Sequence, residues 1–275
     1  MGVYNSKNNS GGITMKYGFI GCGNMGGALA RALAKSTKDI LIADKNEAIK
    51  ALADELGATF GSVEQAAACD YVFLAVKPQM VEAVLSPLQP IFASKKPVLI
   101  SMAAGLSVAQ IQAFAGTCLP IIRIMPNTPC AVGKGMISYC YNTLVTDEMV
   151  ATFLSDMANA GRFEQLPENL MEAATAVAGC GPAFMYMFIE AMADGAVVCG
   201  LPRDKAIAYA AATMEGAAKM VLETGAHPGA LKDAVCSPGG STIVGVNALE
   251  ENGFRGAVMD CVIAAYEKSV ELGKK

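Results

Sequence analysis

The chain contains no tryptophan, a single histidine and only 7% aromatic residues. One histidine excludes multi-histidine metal centres and histidine triads by count. That residue, His227, stands in Gly225-Ala226-His227-Pro228-Gly229 and reads as a surface loop residue rather than a catalytic one. Positive charge is also short: 21 Lys and Arg face 25 Asp and Glu, a net charge of -4. There is therefore no long-range attraction for nucleic acid or anionic lipid, and any phosphate must be bound locally. The nine cysteines include no Cys-x-x-Cys pair and are odd in number, against a disulfide framework and a structural zinc site. No metal is expected, and a reducing cytoplasm is the simplest setting. Pro97 to Ile122 carries no charge, but Ser101, Gly105, Gln110, Gln112, Gly116 and Pro120 interrupt it too often for a membrane helix. The first fourteen residues, rich in Asn, Ser and Gly, lack the apolar core of a secretory signal and read as a disordered leader or an appended tail, with Met15 as the natural start.

What is present is apolar substance, 53% of 275 residues, enough for one large or two ordinary domains. Short β-branched or apolar runs at Tyr17–Ile20, Ile40–Ala43, Tyr71–Val76, Val98–Met102, Ile121–Met125 and Gly135–Tyr139 predict strands. Between them Met25–Lys35, Asn46–Leu56, Gln79–Phe92 and Val108–Phe114 repeat apolar residues at helical steps. Strand and helix in alternation predict an α/β fold with a doubly wound parallel sheet over residues 15–165. A further helix is expected at Thr146–Ala160, capped by Thr146 with Asp147 and Glu148 in its first turn.

From about Leu166 the composition changes to long Ala, Met and Leu helices, so residues 166–275 are expected to be all helical. Pro182 suits a first helical turn, and Gly200-Leu201-Pro202 stops the run that follows it. Within that run Glu190 and Asp194 are the only charges, and Phe184, Met187, Phe188, Ala191, Met192 and Val198 cover the rest, which predicts a helix buried nearly all round. A domain of this size does not cover such a helix alone, which points to burial against a second copy and a helical dimerisation domain. The next helix, Arg203–Glu223, carries Ala206, Ala210, Ala211, Ala217 and Ala218 for close contact.

Two motifs carry chemistry. Gly21-Cys22-Gly23-Asn24-Met25-Gly26 has the Gly-x-Gly-x-x-Gly spacing of a dinucleotide loop between a strand and a helix. Gly21 allows the tight turn, Gly23 the approach of a pyrophosphate and Gly26 the packing of helix on sheet. The helix N-terminus then favours the phosphates by roughly 0.3–2 kcal/mol without a basic side chain. Asp44 closes the second strand about 20 residues on, where an acid takes ribose hydroxyls and disfavours a 2'-phosphate, or starts the next turn. Lys45 beside it suits the phosphate of NADPH, so the choice between NADPH and NADH stays open. Ala75-Val76-Lys77-Pro78 and Met102-Ala103-Ala104 end later strands and should face the same crevice, with Lys77 as a cation for phosphate or ribose. Met125-Pro126-Asn127-Thr128-Pro129 is a rigid turn whose Asn127 could meet a nicotinamide amide, or simply a strand stop. The second motif, Ser237-Pro238-Gly239-Gly240-Ser241-Thr242, forces a non-helical turn before a helix starting near Ser241. Its converging amides and hydroxyls suit a small carboxylate plus one more polar atom, or a plain capped helix start.

Taken together, Phe19–Gly26, Ala75–Pro78, Met125–Pro129, Gly179–Phe184 and Leu231–Thr242 resemble, in content and order, the pyrroline-5-carboxylate reductase family. The resemblance runs from about Met15 to the C-terminus. It implies an NADPH- or NADH-dependent last step of proline biosynthesis. It also implies a Rossmann-type N-terminal domain and a C-terminal all-α domain that joins two subunits, often within larger rings of dimers. By position, Gly21, Cys22, Gly23, Asn24, Met25, Gly26, Ala75–Pro78 and Met102–Ala104 fall to the cofactor, with Asp44 and Lys45 beside them. Ser237, Gly239, Gly240, Ser241 and Thr242 fall to a cyclic imino acid. The Thr242 hydroxyl would reach the ring nitrogen as the catalytic group, and Glu168 would border the substrate. Two departures stand out: the family usually has serines where this chain has Ala178 and Cys180, and an Asn or Ser with Arg in place of Asp44-Lys45. A related reductase of another cyclic imine or a 3-hydroxy acid would want a lysine in the helical domain, and Lys205, Lys219 and Lys232 lie in no glycine-serine motif. A non-catalytic nicotinamide sensor would leave the turn at Ser237–Thr242 without a role.

Overall fold

The computed structural model describes residues 17–273; the leader expected at residues 1–14 and the start at Met15 lie outside the described residues. Its contacts divide the chain into two compact units, one running to Met171 and the other spanning Glu172–Leu272. The first unit holds strands β1 (Tyr17–Ile20), β2 (Ile40–Ala43), β3 (Thr59–Phe60), β4 (Tyr71–Leu74), β5 (Val98–Ser101), β6 (Ile121–Met125), β7 (Gly135–Tyr141) and β8 (Gly161–Gln165). They form one sheet in the order β3-β2-β1-β4-β5-β6-β7-β8. Helices α1 (Asn24–Leu33), α2 (Lys50–Leu56), α3 (Val63–Ala67), α4 (Val81–Leu85), α5 (Gln89–Lys95), α6 (Val108–Ala115) and α7 (Asp147–Asp156) connect and cover it.

Side-chain alternation along each strand builds a core on both faces. Tyr17 and Phe19, Ile40 and Ile42, Tyr71 and Phe73, Val98 and Ile100, and Ile122 and Ile124 point to one side, where Leu29 and Leu33 of α1 and Phe153 of α7 meet them. Ile20, Ala43, Val72, Leu74, Leu99 and Ile121 point to the other, under Ala66, Val81, Leu85, Phe92 and Ile111. The rings of Phe19 and Phe73 stack at 4.4 Å between neighbouring parallel strands. Burying each such side chain contributes about 1.5–3 kcal/mol. The uncharged stretch Pro97–Ile122 is thus strand, helix and strand.

The structure departs from the sequence expectation in identifiable ways. The sheet is not wholly parallel: β7 runs antiparallel to β6, with Ile122 opposite Tyr141 and Met125 opposite Ser138. The link from Pro126 to Lys134 holds one 3-10 turn, Thr128–Val132, and is shorter than the dozen or so residues a parallel crossover needs. β3, β8 and α3 were not anticipated. The single helix expected at Gln79–Phe92 is broken into 3-10 turns and α4 and α5, because Pro87 and Pro90 cannot donate a backbone hydrogen bond. Thr146 caps α7 as expected, accepting from the Met149 amide at 3.3 Å.

The second unit contains a π-helical turn at Thr175–Gly179, preceded by α8 (Met171–Ala174), and then α9 (Gly181–Val198), α10 (Arg203–Thr224), α11 (Pro228–Ala234), α12 (Ser241–Glu251) and α13 (Phe254–Gly273). Ala193 of α9 packs on Ala206 and Ala210 of α10, small residues that let the two backbones approach. Within one chain Ala193 is the only buried residue of α9, and the sequence expectation assigns the burial of the rest of this helix to a second copy. Met187 is 70% exposed, and Tyr209 and Leu222 of α10 are each 68% exposed. By length and composition the run Glu168–Val198 would also suffice to cross a membrane.

Candidate functional site

In the first unit the ends of β1, β2 and β4 open onto a cavity of about 400 Å³. Gly21, Gly23, Asp44, Lys45, Ala75, Val76 and Lys77 line it, with Ile20, Ala43, Val63, Met80 and Val84 as an apolar wall. Gly21 takes φ +83°, and a Cβ there would lie 2.8 Å from the Ala75 carbonyl oxygen, so both conformation and space require glycine. At Gly26 a Cβ would meet the Ala75 methyl at 2.9 Å, where α1 rides close on the sheet. Gly23 differs, because a Cβ there would meet nothing within 4 Å. It faces open space at the N-terminus of α1, where no side chain caps the helix. A pyrophosphate fits a place where the backbone amides are bare and no Cβ intrudes.

Asp44 ties this loop to the next. The Cys22 amide donates to Asp44 Oδ2 at 2.7 Å, and the Asn46 amide donates to Oδ1 at 2.8 Å. Cys22 itself faces the core, 1% exposed, and burial first, then the Asp44 carboxylate, pushes its thiol up to about 12. Its N–H is therefore spent on holding Asp44, and its sulfur stays out of the crevice. Asn24, Met25, Gly26, Pro78, Met102, Ala103 and Ala104 stand outside the cavity lining. Ala103 is buried, its amide donating to Ser101 Oγ at 3.3 Å. Asn127 is also buried, and its Oδ1 accepts from the Met136 amide at 3.0 Å, so its side chain braces β7. Val63, Met80 and Val84 were missed by sequence reasoning. The signal for Val63 was the Ser62-x-x-Gln65 capping box that starts α3 directly behind β3.

Glu168 lies apart from this crevice. Its Oε1 accepts from the Val108 amide at 2.7 Å, at the start of α6, and stands 3.6 Å from the buried Arg123 guanidinium. It borders a second cavity of about 730 Å³, lined also by Gln112, Cys140, Asn142 and Gln165. Burial raises the Cys140 thiol there to about 11, with Glu168 adding to the effect.

In the second unit Ser237–Thr242 folds as a tight turn. Gly239 has φ +70°, and the Gly240 amide donates to the Ser237 carbonyl at 3.0 Å. A Cβ at Gly240 would lie 2.4 Å from Ser237 Oγ, so glycine is what lets that hydroxyl fold over the helix start. Gly240 is the N-cap of α12, and no side chain caps it. The turn itself uses the Gly240 amide, while Ser241 and Thr242 open α12, where the first amides have no intrahelical acceptor. Ser237, Ser241 and Thr242 are exposed. His227 is exposed as well, its Nδ1 accepting from the Gly229 amide at 3.0 Å. Among the described residues no group of three or more His, Cys, Asp or Glu side chains could hold a metal ion.

Comparison with known proteins gives these pieces a common context. Residues 168–272 match the family model for pyrroline-5-carboxylate reductase dimerisation, and residues 16–105 match that for NADP oxidoreductase, coenzyme F420-dependent. The helical unit is thus a homo-oligomerisation domain, which accounts for the apolar surface of α9 and α10. The pyrroline-5-carboxylate reductase of Escherichia coli (strain K12) is 44% identical over 266 residues, 94% of this chain and 98% of the relative. A crystal structure of the Plasmodium falciparum pyrroline carboxylate reductase with NADP bound is 34% identical, with a TM-score of 0.85 over 94% of this chain and 98% of that one. A Coxiella burnetii pyrroline-5-carboxylate reductase is 29% identical, with a TM-score of 0.87 over the same shares.

Proposed function

The chain belongs to the pyrroline-5-carboxylate reductase family, and from that membership we propose that it reduces 1-pyrroline-5-carboxylate to L-proline, the last step of proline biosynthesis, with NADPH or NADH as reductant. What carries the reading is the match to reductases of this one substrate along nearly the whole chain. When bound, the reduced nicotinamide supplies the hydride that the imine carbon accepts. The glycine loop from Gly21 to Gly26 and the bare start of α1 receive the pyrophosphate. Asp44 and Lys45 border the adenosine ribose, while Ala75–Pro78 and Met102–Ala104 line the rest of the coenzyme's path.

The turn before α12 takes the substrate. Ser237 and the amides of Ser241 and Thr242 hold its carboxylate, with Gly239 and Gly240 giving the backbone room to converge. The Thr242 hydroxyl reaches the ring nitrogen and orients the imine, whose proton comes from solvent or from Thr242 itself. Glu168, its side chain 40% exposed, is carried over from the family resemblance as a substrate neighbour. Orientation is the protein's main contribution, since no histidine lies in any of these motifs. Dimers formed through the helical unit assemble into a larger ring, and the enzyme works in the cytoplasm.

The test is purified enzyme with pyrroline-5-carboxylate, following nicotinamide absorbance and proline formation. Thr242→Ala is expected to fold and to bind coenzyme as before, but to turn over about a hundredfold more slowly, the scale of losing one aimed donor. Unchanged turnover in that variant removes Thr242 from the mechanism. Absence of turnover in the wild type, with coenzyme bound, removes the substrate assignment.

A further inference from the structure

We propose that Asp44 selects the coenzyme and makes this protein prefer NADH over NADPH, a proposal that rests on the reading above only in taking the crevice at β1, β2 and β4 as the coenzyme's. The Asp44 carboxylate is fixed by two backbone donors, the Cys22 amide on Oδ2 and the Asn46 amide on Oδ1. Neither donor can swing away, because one belongs to the glycine loop and the other to the turn that opens the next helix. The carboxylate lines the cavity between Ala43 and Lys45 at the end of β2, beside Gly21 and Gly23. Among the described residues no cation stands within ion-pair distance of it.

The preference follows from what the carboxylate can accept. An ionised carboxylate is acceptor-only and offers about four lone-pair sites. The two amides take one on each oxygen, and among the described residues the other sites of this cavity-lining carboxylate have no hydrogen-bond donor. The adenosine ribose of NADH presents hydroxyl donors at its 2' and 3' positions, which match those sites. NADPH replaces the 2' donor with a phosphate of about -1.5 to -2 charge that carries acceptors only. A fixed anion then faces a second anion with no proton to share.

Lys45 does not reverse this balance. Its side chain is exposed, and among the described residues it has no hydrogen-bond or ion-pair partner that would hold it toward the cavity. Lys77, the other cation on the lining, leaves the end of β4 and not the end of β2. A mobile ammonium in solvent gives weaker and less directional compensation than a planar guanidinium held against a phosphate. The local sequence Asp44-Lys45 therefore combines a rigid repulsive group with a loose attractive one, and discrimination is set by the rigid one.

Equilibrium binding of NADH and NADPH to the full-length wild-type enzyme tests this, read by nicotinamide fluorescence at one fixed ionic strength and without imine. NADH is expected to bind at least about tenfold more tightly, a difference of affinities set by the repulsive group. Asp44→Asn keeps an acceptor for a backbone amide and removes the charge, so the ratio should fall by about tenfold, chiefly through tighter NADPH. Equal or tighter binding of NADPH by the wild type overturns the proposal, as does an unchanged ratio in a folded Asp44→Asn. If the variant does not fold, the wild-type ratio decides alone. Because no imine is present, the binding ratio is independent of whether pyrroline-5-carboxylate is the substrate. A preference for NADH without turnover would sink the substrate assignment only, and turnover with equal binding would sink this proposal only.

Discussion

A glycine loop is written in the sequence because each glycine has a local reason, and Gly21 and Gly26 prove to be placed where a Cβ would strike Ala75. What Cys22 does was not legible. Its side chain turns into the core while its amide turns to Asp44, a division visible only once β1 and β2 are paired. The same holds for Glu168, whose partners Val108 and Arg123 come from distant parts of the chain. Cys22 also yields a test. Its thiol is raised from 9.0 to about 12 in the fold, by burial first and by Asp44 second. A raised acid contributes stability that is complete below its unfolded value and is lost as pH climbs toward the folded one. The stability of the wild type relative to Cys22→Ala should therefore shrink between pH 9 and pH 12, measured by urea unfolding. A difference that stays constant across that window would refute the coupling. At pH 8 a thiol reagent should modify the exposed Cys118 well before Cys22.

Elements were legible where one pattern dominated. β1, β2 and β6 match their expected bounds because short, mostly apolar runs, interrupted only by Gly18 and Arg123, sit between breakers, whereas β3 is two residues long and β8 carries charged, largely exposed positions. The direction of β7 lay in the length of a link and not in any strand residue. The capping box of α3 is the clearest element signal that was not used. Ser62 Oγ accepts from the Gln65 amide at 3.3 Å, and the Ser62 amide donates to Gln65 Oε1 at 2.9 Å. α3 spans only Val63–Ala67, too short to hold itself by propensity, and it carries Val63 to the cavity at the ends of β1, β2 and β4 and Ala66 and Ala67 to the core. Ser62→Ala should cost about 1 kcal/mol, within the range for a lost N-cap, and weaken coenzyme binding through Val63. Calorimetry with and without NADH separates the two effects. A variant as stable as the wild type would show that core packing alone fixes α3.

At the scale of the whole molecule, the two units bury their apolar residues very differently. The first closes a two-faced core around its sheet, while the second shows three buried alanines at the α9 and α10 contact and leaves Met187, Val198, Tyr209 and Leu222 largely exposed. Exposed apolar side chains in such number mark an interaction surface, and the dimerisation match identifies the partner as another copy of the chain. Composition foretold this because α9 holds more apolar surface than one helical layer can cover. Association of that kind couples folding to concentration: diluting the protein tenfold removes about 1.4 kcal/mol from each dimer by mass action. Spread over the unfolding entropy of two chains of this length, that lowers Tm by about 1 °C per tenfold dilution. Calorimetric scans over two to three decades of concentration would measure it, with sedimentation reporting the oligomer present at each point. A Tm independent of concentration, with monomers throughout, would mean that the helical unit is stable alone with its apolar face in water.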